Sequence, residues 1–136
     1  MREYLFLETR ERNDYANYKY LMFTLPIVMD STHIVETGLG NAHSTHIFLE
    51  ALYQLPGKRQ LTTIEKAADA SILLETLADT HKLESYYNRG DVIWQLINGE
   101  AKDVYPHYSI HLPAIDFLYL DSDHKYDNVL AELNMF

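Results

Sequence analysis

The sequence predicts an α/β protein built on an open parallel sheet, and three observations predict it. Short apolar, β-branched runs alternate with stretches of helical period along the chain. One of these runs, His33-Ile34-Val35-Glu36-Thr37, breaks into Gly38-Leu39-Gly40 and restarts as a helix with Ser44-Thr45 in its first turn. The runs also close on acidic residues, which gathers polar groups where successive strands end. Helix-length crossovers require parallel neighbours, and right-handed crossovers then give the strand order 3-2-1-4.

The elements follow in order. Arg2 to Met29 reads as one or two helices broken near Pro26, with Tyr15, Tyr18, Leu21, Met22 and Leu25 at helical spacing for packing against the sheet. The first strand ends at Glu36-Thr37. Ser44 to Leu55 forms the first crossover helix, stopped by Pro56-Gly57. Leu61-Thr62-Thr63-Ile64-Glu65 is a second strand closed by a carboxylate. A helix is expected over Lys66 to Lys82, where Ala67, Ala70, Leu74, Leu77 and Ala78 recur with helical period. A third strand is expected at Leu83 to Tyr87, followed by Arg89-Gly90-Asp91, with Asp91 capping a third helix over Val92 to Ile97. The fourth strand, Ile115 to Leu120, is strongly apolar and runs into Asp121-Ser122-Asp123-His124-Lys125-Tyr126. Asp127 to Met135 completes the pattern as a helix, with Val129, Leu130 and Leu133 expected to face the sheet.

The 136 residues make one domain, with an N-terminal helical segment over 1–30 and a βα core over 31–136. Cysteine is absent, which removes disulfides, thiolate metal sites and a cysteine nucleophile. The opening residues are too charged for a secretory signal, and no stretch reaches membrane-span length, so the expectation is a cytoplasmic protein without membrane contact. Eleven basic against 20 acidic residues give a net charge of −9, a poor match for a phosphate backbone, so no nucleic-acid partner is expected.

The glycine turn restricts the ligand. A dinucleotide fingerprint wants a third glycine where this chain has His43, which counts against an NAD-binding oxidoreductase, and no Gly-Lys-Ser/Thr follows to make a Walker loop. Glu36-x-Gly38-x-Gly40 followed by Ser44-Thr45 resembles the first motif of class I methyltransferases that use S-adenosylmethionine (SAM). Asp121-x-Asp123-His124-x-Tyr126 after a buried strand resembles a subgroup acting on small molecules. The likeness covers about Ile34 to Leu133. It implies a Rossmann-like fold truncated after the fourth strand, lacking the C-terminal strands of the full domain. The fourth strand would then be an edge, open to a homodimer contact, to a partner chain or to the missing part of a longer protein.

What the resemblance implies for the site is specific. Gly38, Gly40, Ser44 and Thr45 would form the turn around SAM, and Glu36 would reach its ammonium, directly or through water. Glu65, roughly 20 residues past the glycine turn, would accept from the ribose hydroxyls. Asp91 would accept from the adenine amine, and Asp121 would lie nearest the reacting centre. An oxygen acceptor must lose a proton, and two routes follow. In metal-dependent relatives an aspartate at the Asp121 position binds a divalent cation such as Mg2+, its further ligands coming from a region absent here. In the other route His124 is the general base, a departure from relatives that carry lysine there. Asp123 and Asp127 read as helix-capping residues, and His43 as lining the cofactor cleft. His107 and His111 have zinc-ligand spacing, but Pro106 and Pro113 flank them. The expected function is SAM-dependent methyl transfer to a small-molecule acceptor at oxygen; the competing reading is a SAM-binding half-domain without turnover.

Overall fold

The structure is a computed structural model that describes residues 15–40, 42–66, 90–122 and 124–136. In chain order the elements are α1 (Tyr15–Val28), β1 (His33–Thr37), α2 (His43–Tyr53), β2 (Arg59–Glu65), β3 (Val92–Asn98), α3 (Ala101–Tyr108), β4 (Phe117–Leu120) and α4 (Tyr126–Met135). The expected helix from Lys66 to Lys82 beyond its first residue, the expected strand at Leu83 to Tyr87, and Asp123 lie outside the described residues, as does the chain before Tyr15.

The strands form one four-stranded sheet in the order β3-β2-β1-β4, all pairs parallel. The expected order therefore holds, but its third strand is a different segment. Val92-Ile93-Trp94-Gln95-Leu96-Ile97, expected as a helix, pairs with β2 from Arg59↔Val92 to Glu65↔Asn98. Its β-branched and aromatic side chains suit a pleated, half-buried surface better than a helix. A helix unforeseen in the sequence, α3, then follows and contains Pro106.

Two apolar layers sandwich the sheet. On one face Ile34 and Leu61 pack with Ile47, Phe48, Leu49 and Leu52 of α2 and Met22 of α1. Phe48 is fully buried and meets Phe117 and Tyr119 edge-on, with ring centroids 5.6 and 5.3 Å apart. On the other face Val35, Ile64 and Ile97 pack with Ala101 of α3, and Met135 and Phe136 close the layer. β1 is buried at all five positions, as a central parallel strand must be.

Two expectations for the helices are corrected. Pro26 does not break α1 but sits in its last turn, where it forgoes one N–H bond with little helix left to disrupt, and Ser31 N–H returns to its carbonyl at 2.9 Å. α1 packs chiefly on α2 rather than on the sheet, burying Met22 and leaving Tyr18, Leu21 and Leu25 exposed. In α4 the residues expected to face the sheet are only partly inward: Leu130 and Leu133 are exposed, and Glu132 takes the buried position between them. Among the described residues no helix is long and apolar enough to cross a membrane.

Candidate functional site

In an open α/β sheet a ligand crevice opens where the chain leaves two neighbouring strands toward opposite faces, at their carboxyl ends. Here that place lies between β1, which feeds α2 on one face, and β4, which feeds α4 on the other. Backbone hydrogen bonds tie the four strand tips into a shelf. Gly38 N–H donates to Ile64 O at 2.9 Å, Asp121 N–H to Thr37 O at 2.9 Å, and Gly99 N–H to Glu65 O at 2.8 Å.

The turn after β1 needs its glycines for two separate reasons. Gly38 has φ +89°, and a Cβ there would stand 2.2 Å from the Asp121 carbonyl oxygen and 2.8 Å from Ser122 Cα. It is therefore the contact that lets β1 and β4 close on each other. Gly40, at φ +50°, would meet nothing within 4 Å among the described residues, so its side of the turn is open with respect to them. Ala42, at φ +60°, ends the turn and caps α2, whose first turn points its positive dipole end at the same place.

Glu36 is buried completely, beneath the turn rather than in the crevice. Its carboxylate accepts from Ser44 Oγ at 2.8 Å, from Thr63 Oγ1 at 2.7 Å and from Thr45 Oγ1. Burial pushes its pKa up to about 7, against the pull of the three hydroxyl donors, and the nearby Asp121 charge adds to the rise. The network continues outward, since Thr63 Oγ1 also accepts Trp94 Nε1–H at 2.9 Å. In this arrangement the Glu36 oxygens and the hydroxyls of Ser44 and Thr45 fasten α2 to β1 and β2.

Glu65 and Asp121 lie where the sequence put them. Glu65 ends β2, half-buried, and accepts the Leu39 N–H in the middle of the glycine turn. Asp121 follows β4, with its carboxylate 3.4 Å from the Tyr119 hydroxyl and 3.7 Å from His124 Nε2. His124 is 85% exposed beside the Asp121 carboxylate. His43 is exposed at the start of α2, beside the turn.

Asp91 is the expectation that fails. It precedes β3 instead of following a strand, and its carbonyl accepts Arg59 N–H at 2.8 Å at the opposite end of the sheet. A carboxylate there is a strand's length from Glu65. The residues at the carboxyl end of β3 are Asn98-Gly99-Glu100, missed because the segment was read as lying beyond a helix. Glu100 pairs with Lys66 across the gap between β2 and β3, and with Lys102 at 2.9 Å; both lysines hold its carboxyl down to about 2.

Glu132 was missed as well. Its two oxygens take the Thr37 hydroxyl at 3.0 Å and the Ser122 hydroxyl at 2.6 Å. A glutamate among leucines on a terminal helix carries no sequence signal of that role. His107 and His111 are both exposed, in and just after α3, away from the strand tips. Among the described residues no group of three His, Asp or Glu side chains stands together as a metal site, and beside the Asp121 carboxylate are His124 and the Tyr119 hydroxyl.

No family model and no curated protein matches the chain. Solved structures do. The O-methyltransferase TomG from Streptomyces achromogenes, involved in tomaymycin synthesis and solved with SAM, is 21% identical with a TM-score of 0.62, over 88% of this chain and 50% of its own. An O-methyltransferase from Bacillus cereus solved with S-adenosylhomocysteine (SAH) is 15% identical with a TM-score of 0.64, over 94% and 54%. The SAH-bound methyltransferase PaMTH1 from Podospora anserina is 19% identical with a TM-score of 0.59, over 92% and 52%. The chain spans about half the length of the structures it matches. At these identities the likeness is one of fold, that of SAM-dependent O-methyltransferases.

Proposed function

We propose that this chain is the cofactor-binding part of a SAM-dependent methyltransferase acting on a small-molecule acceptor, at oxygen. The observation that carries the reading is the glycine turn at the β1/β4 switch point, locked between the Glu65 carboxylate and the Asp121 backbone, with Gly40 open with respect to the described residues. Bound SAM would supply an electrophilic methyl on a sulfonium. Everything else is positioning and charge, which for an in-line displacement is much of the acceleration.

Glu65 is oriented for ribose. The Leu39 N–H occupies one of its lone-pair sites and leaves the others to accept from two adjacent hydroxyls. On this reading Glu100, at the β3 tip, would take the adenine-side place expected of Asp91. Carboxylates of Glu65, Glu100 and Asp121 along one rim favour a ligand that carries an ammonium and a sulfonium. Glu36, Ser44 and Thr45 act beneath, holding the turn in shape without touching the ligand. His124, exposed beside Asp121, is the group placed to take a proton from an acceptor hydroxyl. No step is assigned to a divalent cation.

Titrating the protein with SAH, SAM and NAD tests the reading, with the fluorescence of the sole tryptophan, Trp94 of β3, as the reporter. Binding of both sulfur ligands and not of NAD is expected; folded protein indifferent to SAH overturns the proposal. Glu65→Ala should weaken SAH binding by about 1–3 kcal/mol. His124→Ala should leave SAH affinity within about twofold while lowering methyl transfer by roughly 10²–10⁴. A second reading, a SAM-binding unit that needs further chain for turnover, is favoured by the half-length match. It predicts binding without transfer.

A further inference from the structure

We infer that Glu132 is a positioning residue for the crevice: from α4 it holds the tips of β1 and β4 at a fixed spacing, and with them the glycine turn and Asp121. The inference rests on the functional reading above. Its basis is geometric. Glu132 is 6% exposed, and each of its oxygens goes to a different strand tip. Oε2 accepts from Thr37, the residue before Gly38, and Oε1 accepts from Ser122, the residue after Asp121. A single side chain thus bridges the two segments that flank the switch point.

The gap it bridges has no slack. The missing Cβ of Gly38 is what admits the Asp121 carbonyl and Ser122 Cα, so a small shift of either tip alters both the turn and the Asp121 rim. Burying a carboxylate has a desolvation cost, which its two hydroxyl bonds offset in part. Met135 and Phe136 on the same helix already anchor α4 to the apolar layer. What a leucine at position 132 could not do is accept one hydrogen bond from each strand tip. Those bonds fix distance and orientation, whereas apolar packing tolerates sliding.

The test measures SAH affinity by tryptophan fluorescence at a temperature well below the unfolding midpoint of every variant. Glu132→Leu should keep α4 docked and the protein folded at the assay temperature, with a midpoint lowered by the Thr37 hydroxyl it leaves unpaired, yet bind SAH at least tenfold more weakly. Glu132→Gln, which retains one acceptor oxygen, should recover most of that loss. Ser122→Ala, at an exposed position that leaves folding intact, should cost threefold or more. Wild-type affinity in Ser122→Ala together with either a folded Glu132→Leu of wild-type affinity or an equal loss in Glu132→Gln and Glu132→Leu would overturn the inference. Wild-type protein that binds no SAH would instead sink the functional reading on which it rests. The two failures are therefore distinct.

Discussion

The two ends of the same four strands are built on opposite principles. At the amino end the side chains of Asp116, His33 and Arg59 are each tied to protein partners. Asp116 accepts from Thr32 N–H, from the Thr32 hydroxyl at 2.7 Å and from His33 N–H. His33 sits between the Pro113 carbonyl and the Thr62 hydroxyl, each at 2.9 Å. The buried guanidinium of Arg59 gathers the carbonyls of Asp30, Ser31 and Pro56. At the carboxyl end the turn is left-handed, Gly40 is open with respect to the described residues, and the carboxylates of Glu65, Glu100 and Asp121 stay partly exposed. Buried polar groups that are fully satisfied rigidify a fold, whereas carboxylates left half-exposed around a glycine turn await another molecule. The sheet is closed at one end so that it can stay open at the other.

The strongest way to break this contrast is to fill the space that Gly38 leaves. Gly38→Ala adds a Cβ 2.2 Å from the Asp121 carbonyl at φ +89°, whereas Gly57→Ala, at φ +82°, adds one with nothing within 4 Å. The backbone penalty of roughly 1–2 kcal/mol is common to both. The difference is the collision, which should bring Gly38→Ala to roughly 3–5 kcal/mol of destabilisation in urea and abolish SAH binding. Equal losses for the two variants would mean that the β1/β4 contact is looser than described.

A second contrast is in pH. The Glu36 carboxyl, raised to about 7 by burial, holds its proton in the folded state where the unfolded chain has released it. Its contribution is complete below the unfolded value near 4.5 and is lost as pH rises through about 7. The span amounts to up to roughly 3 kcal/mol. His33 works the other way: burial lowers its pKa from 6.5, so the unfolded chain takes up protons first and stability falls on acidification. The wild-type profile between pH 5 and 7 is a sum in which the two oppose. Glu36→Gln should remove one partner and leave a protein whose urea midpoint falls steadily from pH 7 to pH 5. A profile unchanged by that substitution would show that Glu36 does not titrate in this range.

The sequence announced the open end more clearly than the closed one, and the reason is local chemistry. A strand, two spaced glycines and a hydroxyl-rich helix start are contiguous, so β1 and its turn could be located without knowing the fold. Glu65 and Asp121 were equally legible as acids closing apolar runs. Asp91 misled because a Gly-Asp pair reads alike before or after a strand, and only pairing with β2 assigns the side. Val92 to Ile97 carried the better β pattern, but Leu83 to Tyr87 had already taken the third-strand place. His33, Arg59 and Glu132 were invisible for another reason: their partners lie 80, 29 and 95 residues away in the chain. Tertiary contact alone gives those residues their work.

The smallest expected effect is also the cleanest probe of which end binds. Asp91→Asn and Glu100→Gln each remove one negative charge from a position flanking β3, the first at the closed end and the second at the open one. If the rim of carboxylates attracts a cationic ligand, Glu100→Gln should weaken SAM by about two- to threefold, with the effect fading as salt is raised. The loss for SAH, which lacks the sulfonium charge, should be smaller. Asp91→Asn should change neither ligand's affinity beyond measurement error, because a strand's length and the Debye screening of exposed charges separate it from the crevice. An Asp91 effect as large as that of Glu100 would mean that the ligand reaches past the strand tips, and the division of the sheet into a sealed and a receptive end would fail.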